Sequence, residues 1–182
     1  VYLAASFQGN VKINDLALVG QYGSLFGIYT WDVPTFAIVS LSDNFDKTEL
    51  VAQLAATDME TEVGYGTEEA NFTTDGSKVY AAFVAYGNDL TLKSANDSKQ
   101  ITDLLNSVTG EETKYEHAYI FATIENGNIT ATKTYHSKID NNLSDARFNT
   151  IDQMTLYNGN IYLAGTFNET FPFDNTCLLY TS

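Results

Sequence analysis

Apolar residues fall in short runs separated by Gly, Asn, Asp and Ser, the pattern of strands bounded by turns. One strand signature occurs three times: Val1-Tyr2-Leu3-Ala4-Ala5-Ser6-Phe7, Val79-Tyr80-Ala81-Ala82-Phe83-Val84-Ala85, and Ile161-Tyr162-Leu163-Ala164-Gly165-Thr166-Phe167. The copies start 78 and 82 residues apart. Each is followed across a Gly-Asn or Asn turn by a short alternating stretch, Val11 to Leu16, Asp89 to Leu92 and Glu169 to Phe173, which predicts a second strand in a hairpin with the first. The intervals agree further on, where Thr35 to Leu41 matches Ala118 to Ile124 and the strands Glu49 to Ala55 and Ile129 to Tyr135 come next. Each interval closes on a strand turning at Asp75-Gly76 or Asn158-Gly159, dipeptides that supply the positive φ of two-residue hairpin loops.

Each repeat thus holds about four strands in meander order, the content of one propeller blade. A four-stranded sheet cannot cover its own apolar faces, so stacked neighbours must, and further copies are expected. A solenoid coil is shorter, about 20 to 30 residues, which favours the propeller. Two insertions share no pattern. Gln21 to Pro34 carries Tyr22, Phe26, Tyr29 and Trp31, whereas Ser94 to Glu116 places Ile101, Leu104, Leu105 and Val108 behind Asp97-Ser98-Lys99-Gln100, a stripe and caps that predict one short amphipathic helix. Because the insertions differ most, specificity is expected to reside there.

Asp75 to Phe83 and Asn158 to Phe167 resemble the β-propeller repeats of bacterial secreted and surface proteins, in which a D-x-x-G-N-x-Y-V-x-G-x-F core recurs once per blade. The third copy matches well. The second departs, with Phe83-Val84-Ala85 where Gly-Ser-Phe is usual, and the repeat is longer than the family's. The resemblance implies an exported or outer-surface protein of a Bacteroidota-like bacterium, with no shared catalytic residues.

Composition narrows this picture. The 182 residues are 44% hydrophobic and 13% aromatic, too apolar for a disordered chain, and no run reaches the roughly 18 apolar residues of a membrane helix. Net charge is -14 with nine basic residues, so a polyanion is repelled and nucleic acid is set aside as a partner. Val1 reads as mid-strand, which suggests an interrupted array. Cys177 to Ser182 reads as the translation of TGT CTC TTA TAC ACA TCT, a transposase-end adaptor, and is expected to be non-native. Residues 1–176 are then an incomplete propeller, with repeat cores starting near 1, 79 and 161, and without cysteine, which fits an exported protein.

Few residues suggest chemistry. The glycines sit at turns with no Gly-Lys-Ser/Thr, and His117 and His136 lack neighbours at zinc-ligand spacing. Asp43 to Asp46 and Asp140 to Asp145 gather oxygen donors but lack the calcium-loop pattern, so they read as Asx-rich turns. Glu60, Glu62, Glu68 and Glu69 read as a charged loop. No cofactor or metal is expected. Tyr22, Phe26, Tyr29 and Trp31 are the candidate ligand-binding residues, since aromatic faces pack on sugars and protein side chains. The expectation is a non-catalytic binding or scaffolding module for a glycan or protein ligand, outside the cytoplasm. The alternative is a propeller-type polysaccharide hydrolase or lyase, which needs two facing carboxylates.

Overall fold

A computed structural model describes residues 1–25, 29–56, 60–61, 66–86, 90–101, 117–136 and 150–165. These are all-β. The strands are β1 (Tyr2–Phe7), β2 (Val11–Ile13), β3 (Leu16–Leu18), β4 (Tyr22–Leu25), β5 (Tyr29–Asp32), β6 (Thr35–Leu41), β7 (Thr48–Ala56) and β8 (Glu60–Thr61). There follow β9 (Gly66–Thr74), β10 (Lys78–Tyr86), β11 (Leu90–Lys93), β12 (Ser98–Ile101), β13 (His117–Glu125), β14 (Asn128–His136), β15 (Gln153–Tyr157) and β16 (Asn160–Ala164).

They form a first large sheet in the order β1-β6-β7-β11-β12 and a second in the order β14-β13-β10-β9. Strand alternation gives each sheet two faces, and both faces are used. Ile38, Ala52 and Leu54 of the first sheet meet Val79, Ala81, Phe83, Ile120 and Ile124 of the second in the main core. Tyr2 joins that layer, its ring centroid 6.0 Å from that of Phe72. On the far side of the second sheet, Ala82, Val84 and Tyr119 pack with Met154 and Leu163 of the β15-β16 hairpin. On the far side of the first, Ala37 and Val39 pack with Ile13, Leu16 and Leu18 of the β2-β3 hairpin. The result is four layers, with neighbours in the order hairpin, sheet, sheet, hairpin.

The strand registers coincide between layers. Tyr2 pairs with Ser40 and Leu3 with Val39, while Tyr80 pairs with Thr123 and Ala81 with Ala122. These are the positions that the two sequence intervals align. Val79 faces Thr74 and Tyr80 faces Thr73, and the matched residues Ile161 and Tyr162 face Leu156 and Thr155. The β6-β7 and β13-β14 pairs each contain a register shift, between Ile38 and Val39 in one and Thr123 and Ile124 in the other.

Three sequence expectations are corrected. First, the stretch after each Val-Tyr strand forms no hairpin with it: β2 pairs with β3, and β11 pairs with β12 and with β7 of the other large sheet. The pairing partner of β10 on that side is β13, from beyond the insertion. Leu90 and Leu92 are fully buried in the core between sheets, a gain that an outward hairpin would forgo. Second, Ser98 to Ile101 begins no helix but is strand β12, because extending along β11 buries Ile101 in the same core. Its turn is stitched to the next sheet: Ser94 Oγ donates to Gly127 O (2.8 Å), Asn96 N to the same carbonyl (2.9 Å), and Ile129 N to Asp97 Oδ2 (3.3 Å). Residues Leu104, Leu105 and Val108 lie outside the described residues, as do the stretch Glu169 to Phe173 and Cys177 to Ser182.

Third, the loop between β9 and β10 is centred on Gly76-Ser77, not Asp75-Gly76, since Asp75 N donates to Lys78 O at 3.3 Å. Gly76 has φ +93°, as the first central position of a type II′ loop requires. The matching loop between Tyr157 and Asn160 uses Asn158 and Gly159 with φ of 49° and 77°, the pair of positive angles of type I′. One turn position is thus met by two chemistries.

Candidate functional site

The aromatic insertion is a hairpin outside the two large sheets, and its base is a set of buried polar side chains. Gln21 is fully buried. Its N–H donates to Thr35 Oγ1 (2.9 Å), its Nε2 donates to Pro34 O (3.0 Å), and its carbonyl accepts from Val33 N (3.1 Å). Thr35 Oγ1, also fully buried, donates to Val33 O at 3.3 Å. Pro34 offers no N–H, so it ends β5 without orphaning a donor, and its carbonyl is free for the Gln21 amide. Gln53, from the middle of β7, donates through Nε2 to Val19 O at 2.9 Å and ties the entering chain to the sheet. Buried and satisfied, these groups fix where the hairpin leaves the core.

A close backbone crossing lies beside them. A β-carbon on Gly20 would sit 2.2 Å from Gly9 O, so only glycine fits. Asn10 Oδ1 accepts from Gly20 N at 3.3 Å across the same crossing. The Asp32 carboxylate lies over Gly9, where a β-carbon would meet Oδ2 at 3.4 Å.

In the hairpin, Tyr22 pairs with Asp32, Gly23 with Trp31, and Leu25 with Tyr29. Strand β8 adds alongside in parallel, setting Glu60 beside Tyr22 and Thr61 beside Gly23. Tyr29 and Trp31 therefore occupy register rows of one parity and Tyr22 a row of the other, with Asp32 and Glu60. The Tyr22 side chain is 37% exposed. Phe26 lies outside the described residues. Tyr22, Tyr29 and Trp31 are gathered into one hairpin, with the rows dividing Tyr22 from Tyr29 and Trp31.

A groove of about 350 Å³ runs beside the β15-β16 hairpin, lined in part by Asn71, Asp152, Thr155 and Tyr162. Asn71 Nδ2 donates to Ile151 O (3.0 Å) and Asp152 O (3.2 Å), clamping the approach to β15 onto β9. Among its described lining residues the carboxylate is Asp152.

Two carboxylates act as turn ties. Asp46 accepts from Ser42 Oγ and Asn44 Nδ2, each at 2.8 Å, and these bonds, Ser42 first, hold its carboxyl below the ordinary range. Asn14 Nδ2 reaches the same loop, donating to Phe45 O (2.9 Å) and Thr48 Oγ1 (2.8 Å). Asp75 accepts from Lys78 N (2.7 Å), Ser77 N (2.9 Å), Ser77 Oγ (2.9 Å) and Tyr80 Oη (3.1 Å). The Lys78 and Ser77 backbone bonds lead in lowering its pKa to about 2. Tyr80 is raised, by desolvation first and then by that carboxylate. Donors within each turn engage these oxygens, so Asp43 to Asp46 is built as an Asx-rich turn. Asp140 to Asp145 lies outside the described residues, as does Glu62. Glu60 falls in β8, while Glu68 and Glu69 lie in β9, so the acidic series is in part strand. His117 opens β13 and His136 closes β14, with Ala118 paired to His136. The two histidines are thus at one end of that hairpin. Among the described residues, no three His, Cys, Asp or Glu side chains gather as metal ligands.

The Gln21, Thr35 and Gln53 anchors were not singled out by sequence. Each is a polar residue flanking or interrupting an apolar strand, and that position is the signal they left. No protein-family model matches the chain, and neither the curated proteins nor the solved structures contain a match to it.

Proposed function

We propose that the chain is a non-catalytic binding or scaffolding module, a part of a propeller-type stack in which the layers are successive blades and the β4-β5 hairpin recognises a glycan or protein ligand. The supporting observation for the stack is the shared register: β1-β6 and β10-β13 pair at matching positions, as do β9-β10 and β15-β16. The supporting observation for binding is the hairpin itself. Three of its aromatic residues stand on paired strands whose root is locked by buried Gln21 and Thr35, which limits the backbone entropy to be lost on contact. The resemblance to bacterial surface propeller repeats adds an extracytoplasmic location to this reading.

Trp31 is the single tryptophan, which makes its fluorescence a local reporter. Titration with a panel of oligosaccharides and extracellular-matrix proteins should shift the emission for at least one class. Tyr22→Ala and Tyr29→Ala should then weaken that ligand by about tenfold each, the order of one aromatic contact. A ligand that binds equally well to both variants and to Trp31→Phe, followed by calorimetry, would remove the hairpin from the account.

A further inference from the structure

The sequence holds two Asn-Gly bonds, Asn126-Gly127 and Asn158-Gly159, and one Asp-Gly bond, Asp75-Gly76. The two Asn-Gly pairs form the same loop. Glu125 pairs with Asn128 and Tyr157 with Asn160, and the central residues have φ of 51° and 76° in one loop and 49° and 77° in the other. Each pair is followed by a further asparagine, so the local covalent chemistry is alike. The surroundings differ.

The Asn126-Gly127 loop is clasped by the β11-β12 turn. Asn96 Nδ2 donates to Asn126 O (3.1 Å), while Asn96 N (2.9 Å) and Ser94 Oγ (2.8 Å) both donate to Gly127 O. Asn96 lies so close that a β-carbon on Gly127 would meet its Nδ2 at 2.6 Å. At Asn158-Gly159 no described neighbouring layer takes part. Both residues are exposed, a β-carbon on Gly159 would meet nothing within 4 Å, and the bond to Asn158 O comes from Asn160 Nδ2 within the loop, at 3.5 Å. Layers on either side leave this turn position open too. The matching β9-β10 loop belongs to the sheet that lies between the first sheet and the β15-β16 hairpin, and a β-carbon on Gly76 likewise meets nothing within 4 Å.

We propose that Asn158 is a self-modification site, the place where the folded chain deamidates, and that the β11-β12 turn holds Asn126 back from the same reaction. The step consumes water and releases ammonia. Gly159 N loses its proton to hydroxide and bonds to Asn158 Cγ; the bond from Cγ to Nδ2 breaks, and that nitrogen leaves as ammonia with a proton from water, restoring the hydroxide. Water then opens the cyclic imide at either carbonyl, giving aspartate, or isoaspartate with the main chain routed through the side chain. Glycine offers its nitrogen to this attack with no β-carbon in the way. Ring closure needs the peptide between the two residues to turn about the Asn Cα–C bond, which swings the Asn carbonyl. At Asn126 that motion breaks the bond from Asn96, whereas at Asn158 it breaks a long contact within the loop. Asp75-Gly76 is guarded by another route. Gly76 N donates to Thr74 Oγ1 at 3.0 Å and the Asp75 carboxylate accepts from Ser77 N and Lys78 N, so both reacting groups are engaged.

The test follows the purified full chain at mildly alkaline pH by peptide mass spectrometry, with fragmentation to place each conversion and isoaspartyl methyltransferase to label isoaspartate. In the folded chain Asn158 should convert at least about tenfold faster than Asn126, since roughly a factor of five in open population goes with each hydrogen bond that must break. In urea, where neither loop keeps its neighbours, the two should convert at similar rates. Asn96→Ala, at an exposed position, should leave circular dichroism unchanged and speed Asn126 by about fivefold without moving Asn158. Equal rates for the two asparagines in the folded chain, an Asn158 that stays intact there while converting in urea, or an Asn126 rate untouched by Asn96→Ala would each overturn the proposal. So would a gap between the two that persists in urea, because local sequence and not the fold would then set it.

Discussion

Replacing Phe83 with alanine removes a ring from the middle of the core between the two large sheets. Phe83 is fully buried, flanked in its sheet by Ala70 on β9 and Ile120 on β13, and it shares a cluster with Ile38 and Leu54 across the layer. Its neighbours are held by ladders on both sides, so the cavity collapses little. A buried Phe→Ala change costs about 3–5 kcal/mol, a large part of the roughly 5–15 kcal/mol by which domains are stable. At roughly 2–4 °C per kcal/mol for a chain of this size, the thermal midpoint should fall by about 6–20 °C. Urea unfolding followed by circular dichroism is the assay, with a lower midpoint at unchanged slope expected. Tyr162→Ala, at a half-exposed position, should stay within about 0.5 kcal/mol when measured in dilute solution. A loss below about 1 kcal/mol for Phe83→Ala, or an equal loss for the two variants, would refute the layer assignment.

Other substitutions probe the turns and the hairpin base. Gly20→Ala should cost about 1–3 kcal/mol, because its β-carbon meets the Gly9 carbonyl and one backbone must move; denaturant titration reads it. Phe45 is 60% exposed at φ +60°, so Phe45→Asn, a residue tolerant of the left-handed region, should raise stability by about 0.5–1 kcal/mol. Asp75 has a depressed folded-state pKa of about 2. Its contribution is therefore complete above the unfolded value near 3.8 and is lost as pH falls from there through 2. Carboxyl NMR should find a midpoint near 2, and Asp75→Asn should flatten that part of the acid stability curve; a midpoint close to 3.8 in the folded chain would contradict the turn geometry.

What was legible in the sequence was the local part. Strands β6 and β13 were readable as apolar runs, and β7 and β14 as stretches in which apolar and polar residues mix or alternate, each with a turn beside it. The Val/Ile-Tyr stretches were readable as strands β1, β10 and β16 because apolar residues cluster there. Pairing was less legible. The stretch after Asn10 looks like the return arm of a hairpin, but β1 has β6 to pair with, and which neighbour wins depends on burial that only tertiary packing decides. Ser98 to Ile101 shows the same limit from the other side. Its caps and Ile101 suit a helix start, yet a strand edge at β11 and a core waiting for Ile101 prevail over local preference. In the candidate site, sequence supplied the aromatic residues but not their division between register rows. It also passed over Gln21 and Thr35, whose importance lies wholly in the groups they meet.

The stacked-sheet account stands or falls on where β11 pairs. A nuclear Overhauser spectrum of the labelled chain should show cross-strand backbone contacts from Thr91 and Leu92 to Ala55 and Leu54 of β7, together with matching contacts Leu3 to Val39 and Ala81 to Ala122. Contacts from Leu92 back to β10, as in a hairpin closed within one repeat, or a one-residue offset between the β1-β6 and β10-β13 registers, would contradict it.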